Sequence, residues 1–201
     1  IFLTMKAVNF YVSAIENQYE KSVIDKISAE FRKLVEEGSL RSNGEEEIQK
    51  FIEENPILLG RFSAKLIKPK APIGSKHKTD FAILNSKNEL ILIEIEKPST
   101  KLFKSKGGQH SDVTAAFDQV QDWLSEAERN RLGLIDNLNM DGLTIEKITN
   151  IRGVVIAGRS NKENENQSMG KILKSHNNIE LVTYDHLIND LVNFSRDLSK
   201  L

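Results

Sequence analysis

Between residues 8 and 37, apolar side chains return at three-, four- and five-residue steps: Ile15, Tyr19, Ile24, Ile27, Phe31 and Leu34. The spacing lines one side of a long helix, and Gly38 is placed to end it. The run SNGEEEIQKFIEENP predicts a second helix, with Ser42 or Asn43 as its cap, acidic residues in its first turn and Pro56 at its end. The period then shortens to two. Residues 64–69 read as a first strand. KTDFAIL and ELILIEIEK read as two more, joined into a hairpin by the polar turn NSKN. SDVTAAFDQVQDWLSEAE returns to helical spacing, with Val113, Ala116, Phe117, Val120 and Leu124 on one face. IRGVVIAGR is a short apolar strand, as in a sheet covered on both faces. NQSMGKILKSH reads as helix, IELVTYD as strand and HLINDLVNFSRDLSKL as a closing helix. This order predicts an α/β fold: a mixed β-sheet containing an antiparallel hairpin, flanked by helices. Residues 1–40 are expected to be an N-terminal helical arm, linker or oligomerisation segment, and residues 41–201 the main domain.

Composition narrows the function classes. Hydrophobic residues make up 39% of the chain, enough for a core, and no apolar run is long enough to span a bilayer. The opening IFLTMKAVNF has no basic region before its apolar residues and no small-residue cleavage site after them, so no leader is expected. A chain opening at Ile1 without Met reads as a fragment. Cysteine is absent, which excludes disulfides and thiolate metal sites and fits a cytoplasmic location. The net charge of −1 hides a pattern: residues 1–60 carry −4, residues 61–106 carry +7 and residues 107–201 carry −4. A local basic field attracts polyanions even on a neutral protein, although a lysine-rich surface of loops has the same composition.

The basic segment also holds carboxylates where a core strand should be apolar. Side chains alternate along a strand, so Leu90, Leu92, Glu94 and Glu96 share one face, and Lys78, Asp80, Ala82 and Leu84 share a face of the partner strand. With matched registers, Asp80, Glu94 and Glu96 are expected to converge at one end, beside Lys78. Clustered carboxylates repel and take up protons unless a cation offsets them. A hard divalent cation does so through carboxylate oxygens. Beside a basic surface, such an ion suits phosphodiester hydrolysis. The structural alternative is a solvated strand end whose glutamates pair with lysines.

An Asp on one strand, a short hairpin and an acidic motif closing an apolar strand resemble the PD-(D/E)xK nuclease superfamily. More narrowly, EEEIQKFIEENPILL, TDFAIL, LILIEIEKP with the following LF, FDQVQDW, VVIAGR and LVTYDHLI, in that order over residues 45 to 190, resemble the C-terminal nuclease domain of Shedu anti-phage defence proteins. The resemblance implies a restriction-endonuclease-like fold and a DNA endonuclease dependent on Mg²⁺, with Mn²⁺ able to substitute. It implies double-stranded DNA as partner, with no membrane and, by analogy, a homo-oligomer. Asp80 and Glu94 become metal ligands, with the Ile95 carbonyl as a third. Gln119 and Trp123 are similar to the Gln-x-x-x-Tyr motif of some superfamily members, in which the Gln helps shape the site. Glu45 corresponds to a first-helix Glu placed near the metal in related nucleases; its plain reading is a first-turn Glu favoured by the helix dipole.

Two departures change the expectation. Thr79 precedes Asp80 where Pro is usual, and Glu96 stands where the motif lysine is expected. Glu96 can hold a second metal or accept a proton. Otherwise a lysine supplies positive charge from elsewhere: Lys78 on the Asp80 face, Lys97 if a bulge turns it, or Lys101 and Lys104 from the following loop. Lys76, Lys101, Lys104, Lys106 and His110 are candidate nucleic-acid contacts, the last in KSKGGQHSD, a glycine-containing loop opening a helix. His77 lies near Asp80 in sequence, and His176 and His186 read as surface or capping residues. A degenerate site that binds nucleic acid without cutting, and an interaction domain meeting an acidic partner, are the competing readings.

Overall fold

The structure is a computed structural model; it describes residues 21–38, 44–75, 77–104, 108–138, 148–160, 178–198 and 200. The first helix, α1 (Lys21–Gly38), shows the expected stripe, with Ile24, Ile27, Phe31 and Val35 buried. The second, α2 (Gly44–Glu54), carries Glu45, Glu46 and Glu47 in its first turn, where the helix dipole favours negative charge. Pro56 ends that helix and opens a 3₁₀ helix, Pro56–Phe62. The expected helix over residues 8–20, the caps Ser42 and Asn43, and the helix over residues 166–176 lie outside the described residues.

Five strands form the main sheet in the order β1 (Ala64–Pro69), β4 (Phe81–Asn85), β5 (Glu89–Ile95), β6 (Asn150–Ile156) and β7 (Ile179–Val182). β1, β4 and β5 are antiparallel neighbours, and β5, β6 and β7 are parallel. A second sheet pairs two short strands, β2 (Pro72–Ile73) with β3 (His77–Lys78). The hairpin register sets Phe81 opposite Ile93 and Leu84 opposite Leu90. A mixed sheet with an antiparallel hairpin, flanked by helices, is thus the architecture read from the sequence.

Alternation sorts the core into two layers. Phe81, Ile83, Ile91, Ile93 and Ile95 face α1, α2 and the last helix, α5 (Tyr184–Leu198). Residues 21–38, expected to be an arm, pack through Ile24 and Phe31 into this same core. Ala82, Leu84, Leu90 and Leu92 face α3 (Ser111–Arg129) and α4 (Arg131–Leu138), a helix the sequence reading did not include. Gly153 admits α3 closely: a Cβ there would lie 2.2 Å from Val120 Cγ1. Phe117 and Trp123 fill this layer, and truncating such an aromatic costs about 3–5 kcal/mol. This tight seating of α3 decides where Gln119 reaches.

Candidate active site at the acidic end of the sheet

KTDFAIL does not form one strand. β3 stops at Lys78 and β4 begins at Phe81, so Thr79 and Asp80 form the joint between the two sheets. Buried Thr79 donates its N–H to the Ala71 carbonyl at 2.9 Å, and Asp80 donates its N–H to Ile93 O at 3.1 Å. The Asp80 carboxylate then turns across the hairpin, where Oδ2 accepts the Ile95 N–H at 2.8 Å. Glu94 lies beside it on β5. From the other layer, Gln119 of α3 donates Nε2–H to Glu94 Oε1 at 2.6 Å. Trp123, one turn further on, has its ring buried in the α3 layer.

The electrostatics follow from this packing. Burial, followed by the charges of Asp80, Glu96 and Glu45, pushes Glu94 up to about 9. Burial also raises Asp80, opposed by the Ile95 N–H and the Lys70 ammonium. Glu96 is pushed up to about 7 by burial and by Glu45, Asp112 and Asp80, with Lys97 opposing. Burial and Asp80 raise Glu45, with Lys97 and Lys70 opposing. Glu45, Asp80, Glu94 and Glu96 therefore act on one another as one acidic cluster. Among the described residues, however, no three His, Asp or Glu side chains are grouped so as to hold a metal ion. Asp80 and Glu94 meet as a pair, and Glu96 follows Ile95, the last residue of β5.

The cationic candidates separate. Lys97 acts on both Glu45 and Glu96, lowering the pKa of each. Lys78 is exposed in the small sheet, paired with Pro72, and His77 is paired with Ile73. Lys101 and Lys104 are exposed on the loop after β5, which closes through a Phe103–Gln109 bridge. His110 precedes α3, with Nδ1 3.4 Å from Asp112 Oδ2. His186 accepts the Thr183 N–H at 3.1 Å, in keeping with a capping role. Lys76, Lys106 and His176 lie outside the described residues.

Three further residues reach the cluster. Lys70, after β1, donates its backbone N–H to Asp80 O at 2.8 Å. Gln49, buried on α2, accepts from the Lys70 ammonium at 3.1 Å. Tyr184, fully buried at the start of α5, donates its hydroxyl to Glu96 O at 2.5 Å and so ties down the exit of β5. Gln49 was legible as a polar residue one turn after Glu45 on the buried face of α2. Lys70 and Tyr184 carried no local signal.

A family model described as "Shedu protein SduA, C-terminal" matches residues 42–188. No curated protein matches the chain. Among solved structures, the restriction endonuclease FokI bound to DNA is similar at TM-score 0.46 and 13% identity, over 85% of this chain and 30% of that chain. This chain therefore spans under a third of that protein.

Proposed function

Because this chain belongs to the family of the C-terminal region of the Shedu protein SduA, we propose that it is a DNA endonuclease domain acting as an effector of anti-phage defence. The observation that carries the reading is the Asp80–Glu94 pair: two half-buried carboxylates, each oriented by a neutral donor, Ile95 N–H for Asp80 and the Gln119 amide for Glu94. That donor set fits a divalent cation, because Mg²⁺ or Mn²⁺ between the two carboxylates would relieve the repulsion that desolvation has made costly. Asp80 and Glu94 would hold the ion, with the Ile95 carbonyl or Glu96 completing the set. When bound, the ion neutralises charge on a phosphate oxygen and activates water.

The chain supplies the rest. Gln119 and the Ile95 N–H fix the two carboxylates before substrate arrives. Glu96, with its pKa near 7, accepts the proton of the attacking water as the phosphorus–oxygen bond forms, the bond to the leaving oxygen breaks and that oxygen takes a proton from solvent. Lys97, beside Glu96 and Glu45, contributes positive charge. Lys101, Lys104, Lys106, Lys76 and His110 provide contacts to double-stranded DNA, and the working form is a homo-oligomer.

The test is cleavage of plasmid and linear DNA with Mg²⁺, Mn²⁺ or EDTA, comparing the parent chain with Asp80→Asn and Glu94→Gln. Metal-dependent cutting lost in both variants supports the reading. Glu96 at the motif-lysine position favours one other reading, a DNA-binding module with a degenerate site; DNA binding without cutting under any metal would establish that instead.

A further inference from the structure

Lys70 stands apart from the other lysines of the basic segment. It follows the last residue of β1, and its N–H donates to the carbonyl of Asp80 itself. Its backbone is left-handed, φ 48, a conformation costing a non-glycine residue about 1–2 kcal/mol that recurs where structure serves a site. Two residues earlier, Lys68 bonds the Leu138 carbonyl on the α4 side of the sheet. Strict alternation would send Lys70 the same way. The left-handed turn breaks the alternation, and its ammonium instead meets Gln49 Oε1 on α2 at 3.1 Å. Gln49 is 4% exposed, and its Nε2 lies 3.5 Å from Asp80 O.

A buried amide thus clamps an exposed lysine at the rim of the acidic cluster. An ammonium carries three N–H donors, and Gln49 takes one. The remaining donors belong to an exposed residue. Fixing the side chain in advance reduces the rotamer entropy lost when a ligand arrives. A ligand that brings negative charge beside a cation held by Asp80 and Glu94 is a phosphate.

We propose that Lys70, clamped by Gln49, receives a phosphate oxygen of the DNA backbone at this site. The inference rests on the nuclease reading and adds a substrate contact to it. A labelled duplex titrated in EDTA reads binding without cutting, and the slope of log affinity against log salt counts phosphate contacts. Lys70→Met is expected to reduce that slope by about 0.9. Gln49→Leu is expected to weaken binding while keeping the slope, because the charge stays but is no longer clamped. Lys65→Met, whose amine reaches Asn88 at the far end of β1, should match the parent. A parent that binds and cuts, beside a Lys70→Met variant with an unchanged slope, would overturn this inference and leave the nuclease reading standing. A parent that neither binds nor cuts would overturn both.

Discussion

The two ends of β5 hold glutamates in opposite circumstances. At the start, Glu89 accepts from Asn85 Nδ2 at 2.7 Å and lies 4.0 Å from Arg152 Nε. Arg152 also bonds Glu180 at 3.1 Å, and Arg61 pairs with Glu180 and Asp190, both arginines lying against Phe62. Two guanidinium groups there face three carboxylates in a half-exposed network. At the other end, Glu94 faces Asp80, Glu96 and Glu45, with no arginine bonded to any of them among the described residues. Each acid is raised by burial and by its neighbours. The first end is compensated by its own side chains and reads as structure. The second is under-compensated: among the described residues it has only the Lys70 and Lys97 ammoniums acting on its four acids, whose pKa values are raised instead.

The largest expected effect comes from removing charge at the under-compensated end. Asp80→Asn or Glu94→Gln should cut metal-dependent cleavage by at least about 10³-fold, equivalent to several kcal/mol of lost transition-state stabilisation. The same substitutions should raise the melting temperature of the metal-free protein at alkaline pH, because an amide does not ionise in the buried pair. Cleavage assays and thermal melts on the same samples check both.

Next in size is the pH dependence of the metal-free fold. Glu94 is raised from 4.5 to about 9, so the native state binds more protons than the unfolded state between those values. Its stabilising contribution is complete below the unfolded value and is lost as pH rises through about 9. Glu96 adds the same sign up to about 7. Melting temperature in EDTA should therefore fall across this window, and saturating Mg²⁺ should flatten the slope by taking the proton's place. A slope indifferent to Mg²⁺ would count against the metal site.

Gln119→Leu should be milder. It removes the donor that orients Glu94 without removing a ligand, so activity should fall about 10–100-fold, with tighter metal dependence on concentration. Smallest is Arg152→Met at the compensated end. Its ion pairs are partly exposed, so a stability loss of about 1 kcal/mol with unchanged cutting is expected. Comparable losses of activity from Gln119→Leu and Arg152→Met would erase the contrast between the two ends.

Much of this was legible before the structure. Alternation placed Glu94 with Leu90 and Leu92, and Asp80 with Ala82 and Leu84; those leucines and Ala82 do face α3 and α4, where Gln119 meets Glu94. The apolar run of β6 announced a strand covered on both faces. The convergence of Asp80, Glu94 and Glu96 was only partly met: the first two form a pair, and Glu96 follows the last ladder residue, its carbonyl held by Tyr184. KTDFAIL looked continuous because its residues favour strand, yet β3 stops at Lys78 and β4 begins at Phe81, and the Asp80 side chain takes the Ile95 N–H.

By itself, then, the sequence determined what depends on local spacing: the period-two strands, the helical stripes, the hairpin and the face that Asp80 and Glu94 share. These follow from the fixed directions of side chains along a backbone, which neighbouring residues specify. Only the tertiary structure decided that Lys70, Gln49 and Tyr184 reach the acids, because their contacts cross from the turn after β1 to the joint before β4, from α2 to that turn, and from α5 to the exit of β5. The raised pKa values belong to the same level. Desolvation is set by every element packed around a carboxylate, and no stretch of chain carries it alone.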